Sequence, residues 1–216
     1  YRSVEIETFN NNEDKVIKPE LKDILHDSFF LNSDKGITMG GIIRDNGNIH
    51  SFEYHDIFIK KPDNLDEVIQ LVKDANENKK KLRIRGGGTS FSGISIPKEN
   101  EVFVDMRNLN HYHFDQVGTI IVDSGIGLND LKRFLDNEGF KLPVYPTNLG
   151  LLDSITPTIG GFISKGGISP ESKEFGGLWE NVLEITIIDG YGQKKIVNMN
   201  DELFPWLFGG YGQFGI

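Results

Sequence analysis

Cysteine is absent from the 216-residue chain. Its absence removes disulfides, thiol catalysis and thiolate-bound zinc from consideration. Long hydrophobic runs are missing as well, since no stretch reaches the roughly 18 apolar residues that a membrane-spanning helix needs. Positive charge is in the minority, with 23 Lys and Arg against 32 Asp and Glu and a net charge of -9. A nucleic-acid partner calls for a basic face. The one short basic run, Lys79-Lys80-Lys81, reads instead as the close of a helix, where cations suit the dipole. Histidines are few, five in all. The nearest approach to a metal motif, His111-Tyr112-His113, lacks a third ligand at helical spacing and reads as loop polarity. No signal-peptide pattern marks the first residues, and residue 1 is Tyr, so compartment is not legible. Oligomeric state is not legible either.

Hydrophobic residues at 38% and charged residues at 25% are the balance of a soluble globular chain. Residues 1–35 are polar and irregular, with a short amphipathic stretch around Leu21–Leu25, and residues 1–44 are expected to form an N-terminal arm. Ile57-Phe58-Ile59 reads as a short strand ending before Pro62. Asn64 and Glu67 have capping-box spacing, and Leu65, Val68, Ile69, Val72 and Ala75 follow a helical period. Strands are expected at Leu82–Arg85, Val102–Met106 and Thr119–Asp123. Leu128, Leu131, Phe134 and Leu135 form the apolar face of a second helix that stops at Gly139. Beyond Pro143 and Pro146, a strand from Val182 to Ile188 turns at Asp189-Gly190 into Lys194–Val197, a hairpin signal. Asp201–Phe208 reads as a short helix. The fold class is therefore α+β with two lobes, about 50–140 and 145–216, the second rich in antiparallel strands.

Glycine is the abundant residue, 25 in total, and it is clustered at 86–93, 160–167 and 209–215. Clusters mark tight turns or close backbone approach, and three in one domain suggest one ligand touched by three loops. The first, Arg85-Gly86-Gly87-Gly88-Thr89-Ser90-Phe91-Ser92-Gly93, follows a strand directly. Consecutive glycines let N–H groups turn inward together as a nest for an anion, and Thr89 and Ser90 add hydroxyls. A pyrophosphate fits that chemistry; an ordinary glycine-rich hairpin is the alternative. Neither familiar nucleotide fingerprint applies: the third Rossmann glycine position is Phe91, and Ile94-Ser95 after Gly93 breaks the Walker pattern. The second cluster, Thr158 to Ser169, reads as a loop plus short helix against a flat ligand. The third, Gly209 to Ile216, reads on its own as a glycine-rich helix stop.

In this order and spacing the three clusters resemble the FAD-binding (PCMH-type) domain of the vanillyl-alcohol-oxidase/p-cresol-methylhydroxylase family, and within it the cytokinin dehydrogenase branch. Residues 85–93 match that family's Arg-Gly-x-Gly-(His or Thr)-Ser-x-x-Gly loop. Thr158 to Ser169 matches Thr-Val-Gly-Gly-x-x-Ser-x-x-Gly-Ile-Ser with one conservative change. The match runs on through Phe175-Gly176, Asn181-Val182 and Asp189-Gly190-Tyr191-Gly192. Leu203-Phe204 and Gly209 to Ile216 match the closing motif, and Asp45-Asn46-Gly47-Asn48 the lead-in. The resemblance covers roughly residues 45 to 216.

The resemblance implies an FAD-dependent oxidoreductase, oxidase or dehydrogenase, that takes hydride from a small organic substrate. Its alternatives are an FAD-dependent reductase of cell-wall precursors and a catalytically silent flavin-fold module. The loop of Gly86, Gly87, Gly88, Thr89 and Ser90 would hold the FAD pyrophosphate, flanked by Ile84 and Ile94. Thr158, Gly161, Ser164 and Ile168 would line the flavin and ribityl chain. Gly215 and Ile216 would lie near the adenosine or ribityl end, and Arg85 and Gly160 complete the cofactor-binding set. Covalent members carry a His where this chain has Thr89, which has no ring nitrogen, so non-covalent FAD is expected. The branch uses an Asp shortly before its Gly-Gly pair as proton acceptor. Asp153 is the nearest candidate, at a spacing one residue short, with an exposed loop carboxylate as the other reading. A substrate-binding domain is expected after residue 216.

Overall fold

The computed structural model describes residues 41–44, 51–54, 59–98, 100–114, 118–149 and 156–216. The Leu21–Leu25 stretch, the Asp45–Asn48 lead-in, Ile57, Phe58 and Asp153 lie outside the described residues.

Strands β1 (Gly41–Arg44) and β2 (Ser51–Tyr54) pair antiparallel. Strand β3 (Ile59–Lys60) leads to helix α1 (Leu65–Glu77), which starts where the capping box was expected. The amide of Glu67 donates to Oδ1 of Asn64 at 3.0 Å, and Oε2 of Glu67 accepts from the Asp63 amide at 3.0 Å. Val68, Val72 and Ala75 are the buried side of α1. Val68 and Val72 pack with Val104, Met106, Leu109 and Ile188 into one cluster, and full burial of each Val is worth about 1.5–3 kcal/mol.

The lysine run does not close this helix. The helix ends at Glu77 with Asn78 as its C-cap. Lys79 turns into the left-handed region at φ 53, and Lys81 already belongs to β4 (Lys81–Arg85). The side chain of Asn78 bonds back to the carbonyl of Asp74 at 2.8 Å, so a polar amide takes the terminal position that the lysines were expected to fill.

Strand β5 (Glu101–Asp105) lies between β3 and β4 and is parallel to both. Being central, it buries Phe103, Val104 and Asp105. A hairpin of β6 (Tyr112–Phe114) and β7 (Ile120–Val122) follows, then α2 (Leu128–Asn137). Gly139, at φ 81, takes the chain out of α2 as expected. Leu128, Leu131 and Leu135 of α2 share a core with Val144, Ile159, Phe162 and Leu178. The apolar clusters thus draw on residues from both sides of 140–145.

The later part of the chain contributes α3 (Ile159–Ser164), α4 (Ser172–Phe175), a 3-10 turn at Leu178–Glu180, and the antiparallel pair β8 (Glu184–Ile188) and β9 (Lys194–Asn198). Helix α5 is a single turn, Phe204–Leu207, with Pro205 in it. It is shorter than Asp201–Phe208 because Pro suits only a first turn and the carboxylate of Asp201 instead closes a turn on the Asn198 amide at 2.7 Å. The fold is mixed α+β, with a parallel sheet early and an antiparallel pair late.

Candidate functional site: a glycine loop packed on a capped helix

Strand β4 delivers Arg85 to the glycine loop, and each of the next three glycines is required for a different reason. A Cβ on Gly86 would overlap the hydroxyl of Thr158. On Gly87 it would overlap the backbone carbonyl of Thr156. Gly88 has φ +67, and a Cβ there would strike the Arg85 guanidinium. The loop is thereby pressed against 156–158 from one side. None of the amide N–H groups from Gly86 to Ser90 donates to an acceptor among the described residues. A half-buried run of donors without acceptors is costly unless an anion or water completes it. The diphosphate of FAD fits that donor set.

Helix α3 backs the loop. Thr158 is its N-cap and accepts from the Gly161 amide at 3.3 Å. The amides of Ile159 and Gly160 donate to the carbonyls of Ile126 and Ser124, at 3.1 and 2.9 Å. The first-turn donors of α3 are therefore already satisfied, and the free donors are those of the 86–90 loop. The expected site residues consequently divide. Thr158 is 2% exposed and Gly160 abuts Ser124, so these two position the site from beneath. Gly161 is exposed, Ser164 half-buried and Ile168 65% exposed, so these three present an open face.

The third cluster is tied to the same helix. The amides of Gly209 and Tyr211 donate to the carbonyls of Ile163 and Ser164, at 3.1 and 2.9 Å. Ile216 exchanges two backbone hydrogen bonds with Ile188, at 2.8 and 2.9 Å. Gly215 lies against Ile187 and Ile188. The second cluster is thus the hub that joins the first and the third. Ile84 packs into the α1–β5 cluster. Ile94 is exposed, and its carbonyl accepts from Nη1 of Arg83 at 3.0 Å.

Several contributors escaped the sequence reading. Lys165 brings its Nζ to 3.4 Å from Oγ of Ser90, linking the first two clusters with a cation. The Ser124–Gly127 turn docks α3, and Gly127 bridges Thr158. Its signal was a Gly-x-Gly pair directly before α2, where a Cβ on Gly125 would overlap the Met106 carbonyl. The charged pairs around the sheet are also informative. Burial opposes ionisation of Glu101, but the Arg83 fork at 2.7 and 2.8 Å and the Lys98 amide outweigh it and hold its pKa below the usual range. Burial pushes the Asp105 carboxyl up and pulls Arg107 down to about 10. Among the described residues no group of three His, Cys, Asp or Glu could hold a metal ion. No helix among them is long and apolar enough to cross a membrane.

A parallel strand ending in a loop whose amides meet no acceptor among the described residues, pressed on a capped helix, suits an anionic, diphosphate-bearing ligand. The chain belongs to the FAD binding domain family, which matches residues 57–198. Reticuline oxidase of Papaver somniferum is 31% identical over 160 residues, covering 72% of this chain and 29% of that protein. Cytokinin dehydrogenase 3 of Arabidopsis thaliana is 30% identical over 168 residues, covering 72% of this chain and 30% of that protein. The chain thus spans under a third of the length of these relatives. The solved structure of Phl p 4, a grass pollen allergen with glucose dehydrogenase activity, is similar at a TM-score of 0.62 and 26% identity, over 74% of this chain and 33% of that one. The resemblance drawn from the glycine motifs holds for the family and for FAD as the cofactor.

Proposed function

We propose that this chain is the flavin-holding part of an FAD-dependent oxidoreductase that takes hydride from a small organic substrate onto non-covalently bound flavin. The observation that carries the reading is the run of amides from Gly86 to Ser90 that meet no acceptor among the described residues, half-buried against Thr156 and Thr158. Membership of the FAD binding domain family supports it.

In this reading the amides of Gly86–Ser90 and the Ser90 hydroxyl hold the diphosphate, and Lys165 adds positive charge beside Ser90. Gly161, Ser164 and Ile168 line the ring and ribityl chain, while Thr158 and Gly160 fix the position of that face. Gly215 and Ile216 close the adenosine or ribityl end. When bound, FAD supplies the hydride acceptor, and the protein supplies orientation and electrostatics. Thr89 stands at the loop position where a His would be needed for a covalent link, so binding is reversible. Asp153 is the proposed acceptor of the substrate proton. The organisation we propose is an arm over 1–44, an FAD-binding domain over 45–216 with lobes near 50–140 and 145–216, and a substrate-binding domain following it.

The test is anaerobic titration of the FAD-loaded protein with a panel of amines, alcohols, sugars and lactones. Bleaching of the flavin absorbance by one class supports the oxidoreductase reading and names the substrate class. Bound flavin that none of them bleaches counts against it.

A further inference from the structure

Beneath the glycine loop lies a cluster of charges that cofactor contact alone does not explain. Arg85 is wedged under Gly88, where the guanidinium occupies the space a Cβ would need. Its Nε is buried and has no hydrogen-bond partner. The guanidinium lies 5.9 Å from the centre of the Phe103 ring. The carboxylate that acts on it is Asp105, 1% exposed at the end of the central strand. Both Asp105 oxygens are taken by Arg107, whose amide and Nε donate to Oδ1 at 3.0 and 2.9 Å and whose Nη2 donates to Oδ2 at 2.6 Å. Lys61 also acts on Asp105 through its charge.

Asp105 is already held by Arg107 through both oxygens, and it offsets the Arg85 charge only in part. A guanidinium whose buried Nε lacks a hydrogen-bond partner is costly and persists where something offsets it. Burial alone lowers the pKa of Arg85, and the Asp105 charge only partly opposes that. An anion above the loop would complete the balance. In a chain with a net charge of -9, such a local charge is also what an anionic ligand needs, because the overall field repels it.

Building on the functional reading above, we infer that Arg85 is a positioning residue: its charge acts through the glycine loop to set the affinity for a diphosphate-bearing ligand. It requires no direct contact with the ligand. The charge under Gly88 favours the anion and props the loop in the conformation that turns its amides outward. Asp105 and Arg107 hold the end of β5 against which Arg85 rests.

The experiment compares FAD with riboflavin, which carries the same ring but no phosphate, by fluorescence titration of the wild type and of Arg85→Met, Arg85→Gln and Arg85→Lys. The neutral variants are expected to weaken FAD about tenfold or more, with riboflavin affinity within about twofold of wild type, where tenfold is ~1.4 kcal/mol. Arg85→Lys, which keeps the charge, is expected to restore most of the preference for FAD. Equal weakening of both ligands, or no weakening of either, would overturn the inference and leave Arg85 a packing residue. Failure of both neutral variants to fold would do the same. Wild-type protein that binds neither ligand would instead refute the flavin reading on which the inference rests.

Discussion

Gly87→Ala should damage both the fold and the cofactor site, through a single methyl group. A Cβ at that position would overlap the carbonyl oxygen of Thr156, lie 2.7 Å from the Thr156 carbonyl carbon and lie 3.4 Å from Cα of Pro157. All three are backbone atoms, so no rotamer change relieves the overlap. Either the loop lifts off 156–158 or the segment before α3 shifts, and overpacking of this kind costs about 1–3 kcal/mol. Two control substitutions separate sterics from glycine loss in general. A Cβ on Gly190 meets nothing within 4 Å and the residue does not have positive φ, so Gly190→Ala should leave stability within about 0.5 kcal/mol of wild type. A Cβ on Gly161 meets only the Thr158 hydroxyl, at 3.2 Å, so Gly161→Ala should be milder for stability than Gly87→Ala. The assay is urea unfolding paired with FAD titration. Gly87→Ala with a wild-type midpoint and wild-type FAD affinity would refute the claim that the loop is clamped against Thr156.

Three further outcomes are expected. Because the folded pKa of Glu101 is depressed below 4.5, its contribution to stability is complete above that value and is lost as pH falls through the folded pKa. Glu101→Gln should therefore be about 1.5–3 kcal/mol less stable at pH 7, with the difference closing below pH 4.5; a pH-independent gap in unfolding midpoints would count against the Arg83 pair as its source. Asn64→Ala removes the N-cap of α1 and should lower stability by about 1 kcal/mol in denaturant unfolding, leaving FAD affinity unchanged. Asp153→Asn should leave FAD binding intact and slow flavin bleaching by whichever substrate reduces the wild type; unchanged bleaching would remove Asp153 from the chemistry.

How far the sequence carried differs from element to element. Helix α1 was legible because its signals are local: Asn64 and Glu67 sit three apart, and Val68, Val72 and Ala75 mark one face. The β8–β9 hairpin was legible from the Asp189-Gly190 turn, and Asp189 does organise it by accepting from the amides of Tyr191 and Gln193, both at 2.9 Å. The glycine motifs identified the loops but not the role of each residue in them. Thr158 and Gly160 belong to the supporting side because Gly127 and Ser124, more than thirty residues earlier, lie against them. No local pattern encodes that contact. Likewise Ile84 points into the α1–β5 core, since the face of β4 it occupies depends on which strand lies beside it. The lysine run misled because Asn78, a better terminator than a lysine, ends the helix first. Asp105 fell inside the expected strand Val102–Met106, and its burial beside two arginines emerges only once β5 is placed at the centre of the sheet.

The central claim is that these glycine loops hold FAD without a covalent bond, and an absorbance spectrum of the purified protein before and after acid precipitation tests it most directly. The account predicts flavin bands in the native protein, or on addition of FAD, that pass entirely to the supernatant when the chain precipitates. Colour that stays with the pellet would contradict the reasoning from Thr89, and a colourless protein that takes up no added FAD would contradict the account as a whole.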